Sequence, residues 1–348
     1  MAGRPTDRVT LHDVARLAGV TKGTVSKVLN ERSDVAADTR ARVRAAVSEL
    51  GYRPPRSSGG APGPRTVAAV LDVIDSPYII NVLQGILSAV TAADADLLVR
   101  LAPERTVRTS RGAARDWVAE QRAAGVVGVI GLTLGEPAAI LRAAREAGLP
   151  FVVVDPVDLD DPTVVSIGST NWAGGRSATE HLLELGHRRI AWLGGPATSA
   201  PARERLHGHR AALDSAGVPQ DPRLTRHVAF SVDAGRTHGR ELLELPDPPT
   251  AVVAGNDEIA VGVVAVAREL GLEVPTRLSV VGFDDTPQAS WTSPPLTTVH
   301  QPLTGMGRMA VETVLAMAAG REPASRHVQL ATSLVVRGST APASPGDR

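Results

Sequence analysis

The sequence predicts an N-terminal all-α helix-turn-helix headpiece followed by a two-lobed α/β domain with parallel sheets. Two short helical patterns with a glycine between them occupy residues 9–30. From residue 66 onwards, short runs of β-branched residues alternate with amphipathic stretches, which is typical of parallel sheets covered by helices. The chain has 348 residues, too many for one ordinary domain and enough for two or three hydrophobic cores.

The first two helices are marked by their caps. Thr10 can cap the first helix, and Asp13 then lies near the positive end of the helix dipole. Gly19 ends this helix, because the sharp turn needs a left-handed residue, and Thr21 caps the second helix. The predicted apolar faces of the two helices comprise Leu11, Val14, Ala15, Ala18, Val25, Val28 and Leu29. This pattern predicts a helix-turn-helix unit, whose second helix can enter the major groove of DNA.

A third helix is predicted over residues 37–50, with Gly51 as its terminator. Its predicted buried residues are Val43, Ala46, Val47 and Leu50. Arg40, Arg42 and Arg44 are expected to face solvent or phosphate. The alternative for the three helices together is a small bundle that makes protein contacts.

The charge distribution favours a polyanionic partner for the headpiece. Residues 1–65 carry a net charge of about +6, and the remainder of the chain carries about −6, so the overall charge is zero. The only two lysines in the chain, Lys22 and Lys27, both lie in the second helix. The chain has no cysteine, which excludes disulfides, thiolate metal sites and cysteine nucleophiles and fits a cytoplasmic protein.

The body is predicted to be a series of βα units. The predicted strands cover residues 66–71, 96–101, 125–130, 151–154, 189–193, 251–254 and 278–282. Helical patterns between them include residues 79–92, 171–185, 202–216 and 257–270. The polar residues 338–348 are predicted to form a disordered tail.

The sequence resembles the lactose-repressor (LacI/GalR) family of bacterial regulators over nearly its whole length. In the headpiece the resemblance is carried by Val9-Thr10-Leu11, Asp13-Val14-Ala15, Ala18-Gly19-Val20, Thr24-Val25-Ser26, Val28-Leu29-Asn30, Thr39-Arg40 and Leu50-Gly51-Tyr52-Arg53-Pro54. In the body it is carried by His181-Leu182, Leu185-Gly186-His187-Arg188-Arg189-Ile190, Ala254-Gly255-Asn256-Asp257, Ser279-Val280-Val281-Gly282-Phe283-Asp284-Asp285 and Pro294-Pro295-Leu296-Thr297-Thr298-Val299. The resemblance implies a hinged body like that of periplasmic sugar-binding proteins.

The resemblance also implies which headpiece residues contact DNA. These are Thr10, Thr21, Lys22, Gly23, Thr24, Ser26, Lys27, Asn30 and Arg56. Lys22, Gly23 and Lys27 match positions that read base edges, and lysine can donate to guanine O6 and N7. For Thr24 and Ser26 the alternative is local capping and packing.

The segment after the headpiece departs from the family. Relatives have a short hinge helix there, and its leucine enters the minor groove. Here residues 53–65 contain four prolines, three glycines and no leucine. Proline lacks an amide donor and glycine favours the coil, so we expect a flexible linker and little bending of the DNA.

The predicted domains are a headpiece at 1–53, a linker at 54–65 and a body at 66–337. Lobe one is expected at 66–187 and 291–319, and lobe two at 188–290 and 320–337. Parallel sheets bind ligands beyond the carboxyl ends of their strands, so we expect the ligand site there. The family resemblance implies which residues contact the ligand. The implied contacts are Arg205, Phe230, Asn256 and Asp284 in lobe two, and Asp75, Tyr78, Asn171 and Gln301 in lobe one. Fork donors, carboxylates and an aromatic face suit a polyol.

Other classes of function lack their residues. The sequence has no zinc-site histidine pair, no nucleophile elbow and no phosphate-binding loop, so no enzymatic activity, metal or cofactor is expected. A transport protein would need an apolar signal segment, but residues 1–7 are polar. The expected protein is a cytoplasmic, nucleoid-associated repressor that does not bind membranes. Its expected partners are double-stranded operator DNA and a sugar or sugar derivative, with a nucleoside or purine as the alternative effector. We expect a homodimer and leave a tetramer open.

Overall fold

The computed structural model describes residues 10–29, 35–50, 65–156 and 161–344. These residues form two compact units, a headpiece and a body. In the headpiece, the helices are α1 (Leu11–Ala18), α2 (Lys22–Leu29) and α3 (Ala37–Glu49). All three lie within two residues of their predicted bounds.

The headpiece is held together by a small apolar core. Val14, Val25 and Val43 are fully buried, one from each helix, and Ala15, Ala18 and Ala46 let the helices approach closely. Gly19 takes a φ of 66° at the end of α1, and Thr21 Oγ1 accepts a hydrogen bond from the Thr24 amide at 3.2 Å. The predicted turn and the predicted cap of α2 are therefore both present.

The body contains two sheets, each covered by helices. The elements of the first part of the body are β1 (Arg65–Leu71), α4 (Pro77–Ala92), β2 (Ala95–Leu101), α5 (Arg105–Thr109), α6 (Arg111–Ala123), β3 (Val126–Leu132), α7 (Ala138–Glu146), β4 (Phe151–Val154) and β5 (Val165–Ser169). They are followed by α8 (Asn171–Glu184), β6 (Ile190–Gly194), α9 (Ala200–Ser215), a 3-10 turn (Pro222–Leu224), β7 (Thr225–His227), α10 (Val232–Leu243), β8 (Ala251–Ala254), α11 (Asp257–Glu269) and β9 (Ser279–Asp284). The last elements are α12 (Pro287–Trp291), β10 (Thr297–His300), α13 (Leu303–Ala318), β11 (His327–Leu330) and β12 (Ser333–Val335).

Each sheet defines one lobe. In the described residues the first sheet has the order β11-β5-β4-β3-β1-β2, and all its pairings are parallel. The second has the order β12-β10-β9-β8-β6-β7, with β12 antiparallel to its neighbour and the other pairings parallel. The two-lobed α/β fold with mainly parallel sheets is thus confirmed.

The predicted lobe boundaries were wrong in three places. Helix α8 packs against α9 and therefore belongs to lobe two, whereas the predicted boundary at residue 187 assigns it to lobe one. Strand β10 lies in the second sheet and β11 in the first, which is the reverse of our assignment. The chain therefore crosses between the lobes at residues 169–171, 300–303 and 330–333, which we call the crossing segments.

The prediction of a disordered tail was also wrong for residues 338–344. Ser339 is fully buried, and its hydroxyl donates to the Val280 carbonyl at 2.6 Å and accepts from the Thr297 amide at 2.8 Å. The Ala343 amide donates to the Leu185 carbonyl at 2.8 Å. Backbone hydrogen bonds to lobe two fix this segment, and a polar composition gives no sign of them. Residues 345–348 lie outside the described part of the chain.

Candidate ligand cleft and DNA-binding face

A cavity of about 430 Å³ lies between the lobes at the carboxyl ends of the strands. This size falls in the usual range for small-molecule sites. Its lobe-one lining is Asp72, Val73, Asp75, Ser76, Tyr78, Ile79, Thr133 and Asp155. Its lobe-two lining is Pro196, Thr198, Ser199, Pro201, Arg205, Phe230, Ser231, Asn256, Glu258 and Asp284. Six of the eight predicted effector residues therefore line one cavity.

Arg205 is the central cation of this cavity. Its Nε donates to Asn171 Oδ1 at 2.7 Å, one terminal nitrogen donates to the Gly255 carbonyl at 2.7 Å, and the same nitrogen lies 3.5 Å from Asp284 Oδ1. The guanidinium also stacks 3.8 Å from the centre of the Phe283 ring. Arg205 is 3% exposed, so these contacts compensate for the loss of water around its charge.

Asn171 and Gln301 do not line the cavity, contrary to their prediction as lobe-one ligand contacts. Both are buried in crossing segments behind Arg205 and Asp284. Gln301 Nε2 donates to Asp284 Oδ1 at 2.6 Å, and Gln301 Oε1 accepts from the Ser169 hydroxyl. Asn171 Nδ2 donates to the Ser169 carbonyl at 3.2 Å.

These hydrogen bonds close a ring of five buried residues, which we call the hinge ring: Ser169, Asn171, Arg205, Asp284 and Gln301. Two members line the cavity and three lie in crossing segments. The third crossing segment is joined to the first by Thr332, whose amide donates a hydrogen bond to Thr170 Oγ1 at 2.9 Å. A contact in the cavity is thus linked by hydrogen bonds to the segments that connect the lobes.

Asp284 sits in an unusual conformation and environment. Its φ is 106°, which side-chain-bearing residues seldom adopt, and such backbone conformations cluster at functional sites. Burial raises the pKa of Asp284 well above its usual value, while the nearby Arg205 charge lowers it. The preceding helix, α11, begins with Asp257, whose pKa is raised by burial to about 6 although two threonines donate hydrogen bonds to it.

The lobe-one wall is built on Tyr78 and Asp155. The Tyr78 hydroxyl donates to Asp155 Oδ2 at 2.6 Å, and burial raises the pKa of both groups. Ser76 reaches across the cleft, and its hydroxyl lies 3.4 Å from Glu258 Oε2 on α11 of lobe two. Sequence reasoning missed Asp155 and Glu258, although Asp155 directly follows β4 and could have been found as a polar residue at the carboxyl end of a strand.

Asn256 and Phe230 complete the lobe-two wall. Asn256 Oδ1 accepts from the Ile259 amide at 2.9 Å and so caps α11. Its Nδ2 has no hydrogen bond among the described residues, so it can donate into the cavity. Phe230 is half-buried over the Gly195 backbone, which leaves one ring face to cover an apolar ligand surface.

Two glycines set the position of Arg205. A Cβ on Gly175 of α8 would lie 2.1 Å from the Arg205 carbonyl oxygen, and one on Gly208 of α9 would lie 2.0 Å from the Trp172 carbonyl oxygen. Only glycine allows the two helix backbones to approach so closely. One turn further along α9 from Arg205, His209 is buried beside Trp192, and its Nδ1 lies 2.9 Å from Thr179 Oγ1 on α8. Burial lowers the pKa of His209 to about 3.

A larger open depression of about 1100 Å³ lies at the opposite edge of lobe two. It surrounds the amino ends of β6 and β8, and Arg189 in its wall already pairs with Asp221 and Asp247 at 3.3 and 3.1 Å. Parallel sheets bind ligands at the carboxyl ends of their strands, so we assign the ligand to the cavity between the lobes.

In the headpiece, one face of α2 is available to DNA. Val25 and Val28 are buried, whereas Lys22, Gly23 and Lys27 are exposed on the opposite side. Thr24 is half-buried in the cap formed with Thr21, whose hydroxyl lies 2.9 Å from that of Thr24, and Ser26 is half-buried as well. Thr10 is exposed, and its amide and hydroxyl both donate to Asp13 Oδ2 at 2.9 and 2.6 Å. Asn30 and Arg56 lie outside the described residues.

A helix-turn-helix headpiece combined with a two-lobed body that encloses a polar cavity defines a class of protein, the ligand-controlled DNA-binding regulator. Sequence comparison identifies the family. Residues 10–55 match the profile of "Bacterial regulatory proteins, lacI family", and residues 179–340 match the "Periplasmic binding protein-like domain". The chain belongs to the lacI family of bacterial transcriptional regulators.

Relatives match nearly the whole chain. The regulator CelR of Thermobifida fusca is 33% identical, with 95% of this chain and 98% of CelR covered. The ribose operon repressor of Escherichia coli is 31% identical over 95% of this chain and 99% of its own length. Among solved structures, a lac repressor dimer bound to operator and the anti-inducer ONPF has a TM-score of 0.78 at 31% identity, covering 96% of this chain and 100% of that one. A CelR–cellobiose complex has a TM-score of 0.71 at 33% identity, covering 95% and 100%.

In the described part of the chain, no helix is long and apolar enough to cross a membrane. Among the same residues, no group of three or more histidine, aspartate or glutamate side chains is arranged to hold a metal ion.

Proposed function

We propose that this protein is a sugar-responsive repressor, in which a sugar or sugar derivative in the cleft changes operator binding by the headpiece. The observation that carries the proposal is the hinge ring. Arg205 and Asp284 face the cavity, while Ser169, Asn171 and Gln301 lie in the crossing segments. A ligand held by the first pair therefore acts on the segments about which the lobes can move.

The lining chemistry supports a polyol ligand. Arg205 is a donor, Asp155 and Asp284 are acceptors, and Phe230 offers an aromatic face to the C–H side of a sugar ring. The similarity to CelR, solved with cellobiose, and to the ribose operon repressor points the same way. A nucleoside or purine is the alternative ligand.

We propose that the protein binds a near-palindromic operator as a homodimer. Helix α2 is only eight residues long and reaches too few base pairs to specify a site alone. Exposed apolar residues lie on α4 and on the edge strand β2 of lobe one, and they are Ile80, Leu87, Val99 and Leu101. A second copy of the chain would cover this surface, as homodimer interfaces are usually apolar. Sedimentation of the free protein separates a dimer from a tetramer.

We further propose that the protein acts by binding rather than by catalysis, in the cytoplasm and on nucleoid DNA. Its relatives CelR and the ribose operon repressor carry the names of regulators, not enzymes. The contacts proposed for Lys22 and Lys27 are with base edges, and those for Thr10, Thr21, Thr24 and Ser26 are with the DNA backbone.

The test begins with selection of operator DNA from a random library, followed by footprinting. Fluorescence anisotropy on the selected site then measures operator affinity with and without each member of a panel of sugars and nucleosides. We expect two protected half-sites, a steep loss of affinity with salt, and a change of operator affinity with at least one sugar. Uniform protection of all sequences would contradict the proposal, and a response to nucleosides alone would favour the alternative ligand.

Two substitutions test where the ligand binds. Arg205→Ala and Phe230→Ala should each weaken binding of the responding sugar, by about ten- to a hundredfold for the arginine, because a buried polar partner is left unsatisfied. Arg210→Ala is the matched control, since Arg210 lies on the same helix but outside the cavity. If all three variants bind the sugar like the unmodified protein, the ligand binds elsewhere.

A further inference from the structure

We propose that the cleft selects an amine-bearing sugar over the neutral sugar of the same shape. This inference rests on the proposed sugar response and specifies the class of ligand. It follows from an excess of carboxylates around the cavity and from where those carboxylates lie.

Among the described residues that line the cavity, five carry a carboxylate and one, Arg205, carries a positive charge. Asp72 pairs with Arg108 at 2.8 Å and Asp284 with Arg205 at 3.5 Å. Among the described residues, no arginine, lysine or histidine forms an ion pair with the other three lining acids, Asp75, Asp155 and Glu258. The single lining cation, Arg205, is already shared with Asn171 and Gly255, so its charge cannot serve all of them.

The buried carboxylates also have free oxygens. Asp155 is 4% exposed, and the hydrogen bond from Tyr78 falls on Oδ2. The contacts of Asp284, from Gln301 and Arg205, fall on Oδ1. Within the described residues, Asp155 Oδ1 and Asp284 Oδ2 accept no hydrogen bond. Acceptors held in a poorly hydrated cavity favour a ligand rich in donors.

The mouth of the cavity supplies the position for the amine. Asp75 precedes α4 in lobe one and Glu258 lies on the first turn of α11 in lobe two, where Ser76 already reaches Glu258. Asp75 is adjacent in the chain to Ser76, whose hydroxyl lies 3.4 Å from Glu258 Oε2, so the two carboxylates line the same part of the cavity. Burial raises the pKa of Glu258, and the charge of Asp75 adds to that effect. An ammonium between the two carboxylates would offset that effect and provide three donors, whereas a hydroxyl provides one donor and no charge.

An amine at this position would affect both the affinity of the ligand and the change in operator binding that the ligand causes. Asp75 and Glu258 belong to different lobes, so a cation between them attracts both and favours the closed cleft. A ligand shifts a conformational equilibrium only through its different affinities for the two states, and this contact exists only when the lobes are together. A neutral sugar that fills the same space lacks this contribution.

The experiment is calorimetry on the full-length protein with matched sugars at about pH 6.5, where a primary amine is protonated. The pairs are glucose with glucosamine, galactose with galactosamine, mannose with mannosamine, and cellobiose with the dimer of glucosamine; the N-acetylated sugars serve as uncharged analogues. We expect at least one amine-bearing sugar to bind about tenfold or more tightly than its neutral partner, a difference of about 1.4 kcal/mol. Equal or tighter binding of the neutral sugar in every pair overturns the inference, and so does the failure of every amine-bearing sugar to bind.

Variants that remove one negative charge test whether the amine binds between Asp75 and Glu258. Glu258→Gln and Asp75→Asn should bring the affinity ratio of each responding pair close to one. Asp116→Asn removes an exposed carboxylate on α6, outside the cavity, and should keep the ratio. A ratio that persists in both cleft variants refutes the proposed position of the amine.

Operator titrations keep this inference separate from the proposed function. If neutral sugars alter operator binding and amine-bearing sugars do not bind, the inference fails while the sugar response stands. If amine-bearing sugars bind preferentially but no sugar changes operator affinity, the inference stands and the sugar-responsive repressor does not.

Discussion

Replacing Gln301 by methionine should remove two hydrogen bonds from the hinge ring. Gln301 is 1% exposed and joins Ser169, in one crossing segment, to Asp284 in the cavity wall. Methionine has a similar length but neither the donor nor the acceptor, so Gln301→Met removes both hydrogen bonds without opening a large void.

The size of the effect follows from the two bonds. The bond to the Asp284 carboxylate contributes about 1.5–3 kcal/mol and the bond from Ser169 about 0.5–1.5 kcal/mol, and the buried methionine offsets part of that loss. We expect the free energy of unfolding of the body to fall by about 2 kcal/mol. For a body of this size that corresponds to a fall in Tm of about 3–4 °C.

The assay is thermal unfolding followed by circular dichroism, together with operator titration in the presence of the responding sugar. Gln329→Met is the control, because Gln329 is exposed on β11 and lies outside the ring. The Gln301→Met variant should bind operator in the absence of ligand, but its operator affinity should change less when the sugar is added, because the cavity wall and the crossing segment are no longer joined by hydrogen bonds. A Tm and a sugar response equal to those of the control would refute the coupling role of the ring.

Four further outcomes follow from the structure and the sequence. Gly175→Ala should displace α9 and reduce affinity for the responding sugar at least tenfold by calorimetry, while urea unfolding shows whether the body stays folded. His209→Phe should remove one pH dependence of the free energy of unfolding. Below about pH 6.5 the His209 side chain binds a proton in the unfolded state but stays neutral in the folded state, because burial lowers its pKa to about 3. The free energy of unfolding of the unmodified protein should therefore fall by about 1.4 kcal/mol per pH unit in that range, and this contribution should be absent from the variant. Lys27→Ala should relax base preference in a competition assay and cost about 1–3 kcal/mol on the operator, whereas Arg42→Ala should weaken operator and random DNA alike. Residues 53–65 should bend the operator less than a regular hinge helix does, and a strong central kink in a circular-permutation gel would contradict this.

Local pattern was sufficient to predict most elements of the fold. The predicted strands at 151–154 and 251–254 agree with β4 and β8 at both ends, and the headpiece helices followed from caps and apolar spacing. The strands that were not predicted, such as β7 (Thr225–His227) and β12 (Ser333–Val335), are too short to show a period. The lobe boundaries failed for a different reason, because pairing between distant strands leaves no trace in local periodicity.

The candidate site was predicted in part for the same physical reasons. Parallel sheets bind ligands at the carboxyl ends of their strands, and this rule together with the family resemblance predicted three residues that line the cavity. They are Arg205, Asn256 and Asp284. Asn171 and Gln301 lie in the predicted region, but they are buried behind the cavity wall instead of lining it. Whether a polar side chain meets the ligand or supports the residue that does so depends on its depth in the structure, and sequence spacing does not report depth.

The corrected lobe assignment explains why the support residues matter. Because the chain crosses three times, the lobes cannot move without changing the backbone of residues 169–171, 300–303 and 330–333. Hydrogen bonds tie the first of these segments to the second through Gln301 and to the third through Thr332. Arg205 and Asp284 are thus joined to a set of segments that must move together, and a ligand that prefers one arrangement of this pair biases all three crossings at once.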